Sequence, residues 1–384
     1  MRILQLAPLW ETVPPPAYGG TEAVVSLLTE QLVARGHEVI LAASGDSKTA
    51  ARLLSVYPRS LRRADDLKDR VPYDWLHIGA ALAAARDVDV VHNHAGELAM
   101  AMAGAIDTPM LTTAHCLPTE DTRHIWERYH GAWNTISRSQ KRTVADVRVP
   151  GRFVGHVYNA IDVETFPFEA KKGDDLLFLS RIAPEKGPQH AIAVAKKLGM
   201  RLILAGKVDR YDQRFFDEVV QDLIDGEQIV FVGEADAQQK RELYAKAKCL
   251  LMPLCWEEPF GLVMPEAMAC GTPVIAFRRG SAPELIAHGE TGFIVDTVDE
   301  MAEAVQDVGR IDAARCRAHV QAHFSPESMT DAYLDVYADL LDRPRWPHSV
   351  VVPAPLAAAP VDVPVAAGER REPDGEAAPT IAVA

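Results

Sequence analysis

Two glutamates eight residues apart, Glu258 and Glu266, flank Pro259-Phe260-Gly261-Leu262 in the run from Glu257 to Ala276. The pattern predicts a loop carrying Glu258, then a short helix carrying Glu266 that stops at Gly271, then at once a strand over 273–277. A helix start leaves amide N–H groups without intrachain partners and carries partial positive charge, so it favours anions, phosphate above all. Carboxylates on either side suit hydroxyl groups. A ligand that is phosphate at one end and hydroxyl-rich at the other, such as a nucleotide sugar, meets both demands. Taken alone, the segment also reads as an ordinary buried helix–turn–strand with surface glutamates.

A second cluster supports the anion reading. Ser180-Arg181-Ile182-Ala183-Pro184-Glu185-Lys186-Gly187 follows an apolar strand pattern. Arg181 and Lys186 therefore sit on a loop at the carboxyl end of that strand, the side on which open α/β sheets bind ligands. Arginine offers phosphate a planar fork and lysine a compact charge. Such fixed cations offset the charge on a leaving diphosphate without a metal. The alternative is a surface ion pair with Glu185.

Near the amino terminus, Pro14-Pro15-Pro16-Ala17-Tyr18-Gly19-Gly20-Thr21-Glu22 joins a first strand to a first helix. Paired glycines before a helix let backbone amides approach a phosphate or sugar, although a turn needing positive φ explains them equally. The loop lacks the dinucleotide G-x-G-x-x-G spacing. His115 closes a strand in Thr112-Thr113-Ala114-His115-Cys116. His92 and His94 share one strand face, and with His115 they could be taken for a metal cluster; polar linings at strand ends are the preferred reading. Gly280-Ser281 is a weaker anion candidate, and Glu257 is expected to be solvated.

These residues need a scaffold of alternating strands and helices. Apolar strand patterns fall at 1–7, 39–43, 88–92 and 110–114, with a helix over 21–35 closed by Gly36. A second set falls at 176–180, 202–205, 229–232, 249–253 and 274–277, with helices over 188–198, 238–246, 264–269 and 282–288. The alternation predicts an α/β chain of two doubly wound parallel sheets, each covered on both faces. Residues 1–165 and 166–328 are the predicted domains, and a helix over 329–342 follows. The proline- and alanine-rich stretch 343–384 is predicted to be disordered. Arg59, Arg62, Arg63 and Lys68 lie near Trp75 but are interrupted by Asp65, Asp66 and Asp69. They predict a solvated helix face rather than a membrane-docking surface.

Bulk properties narrow the field. The 384 residues suffice for two cores, and a formal net charge of −14 argues against a nucleic-acid binder. It also disfavours lasting contact with an anionic membrane. Five cysteines without C-x-x-C spacing give neither a disulfide framework nor a zinc ribbon. With no signal-peptide pattern and no run long enough to span a bilayer, the expected location is cytoplasmic.

Together these motifs resemble the retaining glycosyltransferases of family 4, which have the GT-B fold, over nearly the whole chain to about residue 340. Glu258 and Glu266 match that family's glutamate-x7-glutamate motif. Pro8-Leu9-Trp10-Glu11 with Tyr18-Gly19-Gly20-Thr21-Glu22 is similar to its avilamycin-biosynthesis-type subgroup. The resemblance implies two facing Rossmann-like domains, with the terminal helix crossing back onto the first. It implies that His115 contacts the transferred sugar, that Arg181 and Lys186 grip the diphosphate, and that Glu258 holds sugar hydroxyls. Glu266 would accept hydrogen bonds from the ribose. Amides of Phe260, Gly261 and Leu262 would serve the sugar and diphosphate, and Gly206 and Gly233 the nucleobase. Gly19-Gly20 would close over the donor phosphate or line the acceptor pocket. Asn159-Ala160-Ile161-Asp162 resembles the family hinge, with Ala160 in place of a glycine. Cys116 stands where an acidic residue is frequent.

The implied reaction moves a hexose from an NDP-sugar to an acceptor hydroxyl with retention, by a same-face mechanism without metal or other cofactor. UDP-glucose is the favoured donor and GDP-mannose the next. The expected partners are the donor and a hydroxyl acceptor, for a monomer or homodimer. Two alternatives stand beside this reading: a UDP-sugar epimerase on a similar scaffold, and a non-catalytic nucleotide-sugar-binding protein.

Overall fold

Seven parallel strands form the first sheet: β1 (Arg2–Leu6), β2 (Glu38–Ala42), β3 (Arg52–Leu54), β4 (Val90–Asn93), β5 (Met110–Ala114), β6 (Ala132–Thr135) and β7 (Arg152–His156). Six form the second: β8 (Leu176–Leu179), β9 (Leu202–Ala205), β10 (Ile229–Phe231), β11 (Cys249–Met252), β12 (Val274–Phe277) and β13 (Gly292–Val295). This computed structural model describes residues 1–16 and 19–342. Ala17 and Tyr18 of the first loop, and the predicted disorder of 343–384, lie outside the described residues.

Strand order is β3-β2-β1-β4-β5-β6-β7 in one sheet and β10-β9-β8-β11-β12-β13 in the other. In each the order reverses beside the first strand, between β1 and β4 and between β8 and β11. Connections leaving such a pair diverge to opposite faces, and a crevice opens at the carboxyl ends. The motif loops lie there: 7–16 and Gly19 after β1, His94 after β4, 180–187 after β8 and 253–262 after β11.

Both faces of each sheet are buried, as parallel sheets require. Ile3 packs with Val24, Leu28, Tyr333 and Tyr337, while Leu4 and Leu6 point to the other face with Ile78 and Trp133. The second sheet divides likewise, Leu177 and Leu179 on one side and Leu176 and Phe178 on the other. The last described helix, Pro326–Leu341, returns to the first sheet. Ser325 caps it and Pro326 begins it. It buries Met329, Tyr333 and Tyr337, each large side chain adding about 1.5–3 kcal/mol of apolar burial. Ion pairs Arg35–Asp331 and Arg152–Asp339 flank the contact.

The two sheets are joined where Asn159-Ala160-Ile161-Asp162 runs beside Phe324, the Ile161 amide donating to the Phe324 carbonyl at 3.0 Å. No non-glycine residue among those described has positive φ, so Ala160 replaces the hinge glycine without strain. Phe324 meets Tyr158 and Phe260 edge-on at ring distances of 5.7 and 5.9 Å. Glu284, in the short helix Ala282–Leu285 after β12, reaches back to the first sheet. Its carboxylate accepts the amides of Arg138 and Ser139 at 2.9 and 2.6 Å and the Tyr158 hydroxyl at 2.9 Å. Those amides open the helix Arg138–Thr143, so one sheet's carboxylate caps the other's helix.

Four strands escape the apolar pattern. β6 reads Ala-Trp-Asn-Thr because its polar side chains are used inside, β7 is an edge strand with irregular register against β6, and β3 and β13 are short. The helix predicted over 282–288 ends at Leu285, where Ile286 turns extended. The basic stretch is no helix face but one 3-10 turn, Leu61–Arg63, with Arg59 paired to Asp66 and Arg62 to Glu11. Among the described residues no helix is long and apolar enough to cross a membrane.

Replacing Glu284 by alanine leaves two helix-terminal amides and the Tyr158 hydroxyl without their acceptor. Urea unfolding should show a loss of about 2–3 kcal/mol; an unchanged midpoint would mean that water satisfies these groups equally well.

Candidate functional site

The wall from the second sheet is set by backbone approach. Gly206, after β9, has φ +153°, and a Cβ there would collide with the Ser180 carbonyl after β8. Its amide donates to the Gly233 carbonyl at 2.8 Å, which ties the ends of β9 and β10 together. Arg181 emerges beside this junction. Its guanidinium pairs with Glu185 and, at 2.7 Å, with Asp212.

The two motif glutamates are both buried, and both are held. Lys186 Nζ pairs with the Glu258 carboxylate and lies 4.7 Å from the centroid of the Trp256 ring. The Trp256 indole N–H donates to Glu258 Oε2 at 3.0 Å. Glu266 accepts from Lys240 Nζ at 2.7 Å and from the Tyr244 hydroxyl at 2.9 Å. Both donors share the face of the helix Ala237–Lys246, whose start is fixed by a capping box of Asp236 and Gln239. Burial, then the adjacent Glu266 carboxylate, pushes the Tyr244 phenol well above its usual range, so it stays a donor. Between the glutamates, Gly261 needs its φ of +79°. Among the described residues the amides of Phe260, Gly261 and Leu262 carry no hydrogen bond. The Phe260 ring itself belongs to the core.

The facing wall comes from the first sheet. Gly20 opens the helix Gly20–Ala34, and a Cβ on it would lie 3.2 Å from Leu262 Cδ1, so glycine lets the two walls touch. Glu22, in its first turn, is buried, and burial raises its carboxyl above the ordinary range. His115 is half-buried at the end of β5, its Nε2 2.8 Å from His94 Nδ1, and burial lowers its imidazole to about 4. Cys116 touches solvent, but protein atoms crowd it. That crowding pushes its thiol up, followed by the carboxylates of Glu97, Glu258 and Glu22, with Lys186 pulling the other way. The end of β5 thus lies within electrostatic reach of Glu258 and Lys186.

A cavity of about 200 Å³ joins the walls, lined by Gly19 and Gly20 from one side and Arg181, Gly206, Leu262 and Glu266 from the other. Lys207 and Lys240 line it too. His115, Lys186, Glu258, Phe260 and Gly261 lie outside its lining, and Gly233 supports it only through Gly206. A larger hollow of about 740 Å³ beside Lys171, Leu176 and Leu243 contains none of the motif residues. The lined cavity offers cations, the unbonded Leu262 amide and an oriented carboxylate, a set suited to a ligand with both anionic and hydroxyl-bearing parts.

Several of these groups carry no sequence signal. Lys240 and Tyr244 stand four apart on a helix with no motif near them, and Asp212 and Lys207 lie in an unpatterned loop. Trp256 could have been found, two residues before Glu258. Two expectations are corrected. Glu257 is not merely solvated: its carboxylate accepts the Gly280 amide at 2.7 Å, so the weaker anion candidate already has an internal anion. His92 is no cleft lining but wholly buried, bonded to Tyr337 and Thr113. Among the described residues no group of three or more His, Cys, Asp or Glu side chains could hold a metal ion.

Comparison with known proteins bears on the fold and on the class of reaction. Residues 163–318 match the model of glycosyl transferases group 1, and residues 18–165 match that of glycosyltransferase family 4. The chain is 26% identical to N-acetyl-alpha-D-glucosaminyl L-malate synthase of Bacillus anthracis, over 85% of this chain and 95% of that protein. Its fold is shared with AviGT4, a glycosyltransferase involved in avilamycin A biosynthesis: TM-score 0.66, 24% identity, 90% of this chain and 99% of the other. It is shared also with HepE of Anabaena in complex with UDP-glucose: TM-score 0.67, 17% identity, 88% and 100% covered.

Gly280 sets the position of Glu258, because a Cβ on it would fall on the Glu258 backbone nitrogen and oxygen. Gly280→Ala should therefore displace that loop and cost about 1–3 kcal/mol, read as a lower thermal midpoint. A variant melting with the wild type would show that the loop yields freely.

Proposed function

The chain belongs to the GT-B glycosyltransferases, and on that premise we propose that it moves a hexose from a nucleoside-diphosphate sugar to an acceptor hydroxyl with retention of configuration. The observation that carries this reading is the cavity shared by the two switch-point crevices, with Gly19-Gly20 on one side and Arg181, Gly206 and Glu266 on the other. UDP-glucose is the favoured donor and GDP-mannose the next. The fold neighbour HepE, solved with UDP-glucose, supports that order.

In this reading the diphosphate takes up Arg181 and Lys186, whose side chains exchange carboxylate partners for phosphate oxygens. The carboxylates released, Glu258 above all, then meet sugar hydroxyls. Glu266, oriented by Tyr244, accepts from the ribose. Charge grows on the leaving phosphate as the glycosidic bond breaks, and cations already fixed there stabilise it without reorganisation. The same phosphate can take the acceptor's proton on the face it leaves, which gives retention without a covalent enzyme intermediate. Contact between Gly20 and Leu262 narrows the entrance and limits water, which would otherwise hydrolyse the donor. The acceptor approaches from the first sheet, past His115. With charge supplied by side chains, no metal is required.

Arg181→Ala and Lys186→Ala should each slow turnover by about a hundredfold, the loss of roughly 2–4 kcal/mol of transition-state stabilisation, while UDP affinity falls far less. Unchanged turnover would remove them from the site. Full loss of activity on chelation would overturn metal independence, an inverted product by NMR would overturn retention, and conversion of donor without acceptor would point to an epimerase.

A further inference from the structure

Behind the cleft, a row of buried polar groups crosses the first sheet from β6 to His115. Asn134 Nδ2 donates to the Thr135 carbonyl at 3.2 Å, and that carbonyl also receives the Val157 amide. A carbonyl only accepts, so the Asn134 amide nitrogen faces it and the amide oxygen faces Thr113 Oγ1, at 2.7 Å. Thr113 spends its one hydrogen there, and so accepts from His92 Nε2 at 2.7 Å. His92 is wholly buried, and burial holds its imidazole well below the ordinary value. The neutral ring then accepts at Nδ1 from the Tyr337 hydroxyl, at 2.6 Å.

The logic continues to the site. Tyr337, its hydrogen used, accepts from Gln5 Nε2 at 3.1 Å, which turns Gln5 Oε1 toward His94 Nε2 at 2.8 Å. His94 is buried and likewise held neutral, first by burial and then by the neighbouring His92 and His115. It donates through Nε2 and therefore accepts at Nδ1 from His115 Nε2, at 2.8 Å. Every hydrogen in the chain points the same way, and the direction is set by one backbone carbonyl at its far end.

We propose that this chain fixes His115 with its proton on Nε2, that the histidine meets the donor sugar as an acceptor at Nδ1, and that Gln5, His94 and Tyr337 are positioning residues for it. No described residue hydrogen-bonds to that Nδ1. The tautomer stands on these hydrogen bonds and on the burial that keeps His92 and His94 neutral, whereas the sugar contact rests on the donor reading above. A hydroxyl can donate to a bare imidazole nitrogen and a carboxylate cannot, so this position selects a neutral hexose over a uronic acid.

The test is a long-range proton–nitrogen NMR correlation on the full chain with nitrogen-15 histidine, at neutral pH and without ligand. His115→Gln assigns the signal by its loss. The expected spectrum has a bare Nδ1 and a protonated Nε2 for His115; the opposite tautomer, or a rapid average, overturns the proposal. Gln5→Leu and Tyr337→Phe, both checked for retained fold, should each turn that signal into an average, and an unmoved signal in both removes their positioning role. The spectrum needs no donor, so a chain inert toward nucleotide sugars would count against the function above and leave the tautomer standing. In turnover, UDP-glucose should exceed UDP-glucuronate by at least about a hundredfold, and Tyr337→Phe should narrow that ratio by roughly tenfold. Equal use of both sugars by the wild type overturns the acceptor role.

Discussion

Charge placed in a crevice between two protein walls must be neutralised where it stands, because removing an ion from water without a partner costs several kcal/mol. That requirement organises the whole cleft. Arg181 is gripped by Glu185 and Asp212, Lys186 by Glu258, and Glu266 by Lys240 and Tyr244. Each pair keeps a cation or a carboxylate oriented at the crevice rim, so an anionic ligand exchanges partners rather than ordering loose side chains. Such exchange is cheap in entropy, and under the proposed reaction it suits a site that releases a more highly charged product than it receives.

The scaffold supports this by placing both crevices where strand order reverses and by controlling how the halves meet. Glu284 caps a helix of the other sheet, Phe260 links the motif loop to Phe324 at the crossing, and Leu262 rests against Gly20. Phe260 and Leu262 therefore serve twice. Among the described residues their backbone amides have no internal partner, while one side chain anchors the core and the other reaches the opposite wall. Displacing the motif loop would disturb the joint between the halves as well as the site.

Much of this was legible in the chain. β8, β9, β11 and β12 are unbroken apolar runs, and a parallel sheet buried on both faces demands such runs. Arg181, Gly206 and Gly19-Gly20 follow strands and Leu262 and Glu266 stand at a helix start, places that the strand–helix pattern marks, and the fold gathers them round one cavity. β6 was not legible, since Asn134 and Thr135 spend their polarity inside, where pattern alone reads a loop. Nor were Lys240, Tyr244 and Asp212. Their roles depend on which helix or loop crosses which strand end, a property of packing that no local spacing encodes.

The helix Pro326–Leu341 supplies Tyr333 and Tyr337 to polar groups whose other members lie between Gln5 and Asn134. A growing chain emerges amino terminus first, and domains generally fold in that order as they are made. Here the first sheet leaves the ribosome with His92, Gln5 and Thr113 short of their last hydrogen-bond partners. Those groups cannot be fully paired until nearly all the described chain has been synthesised. The half made first is thereby completed last, and a nascent chain stalled before Tyr333 would carry a sheet with a wet, unsettled seam.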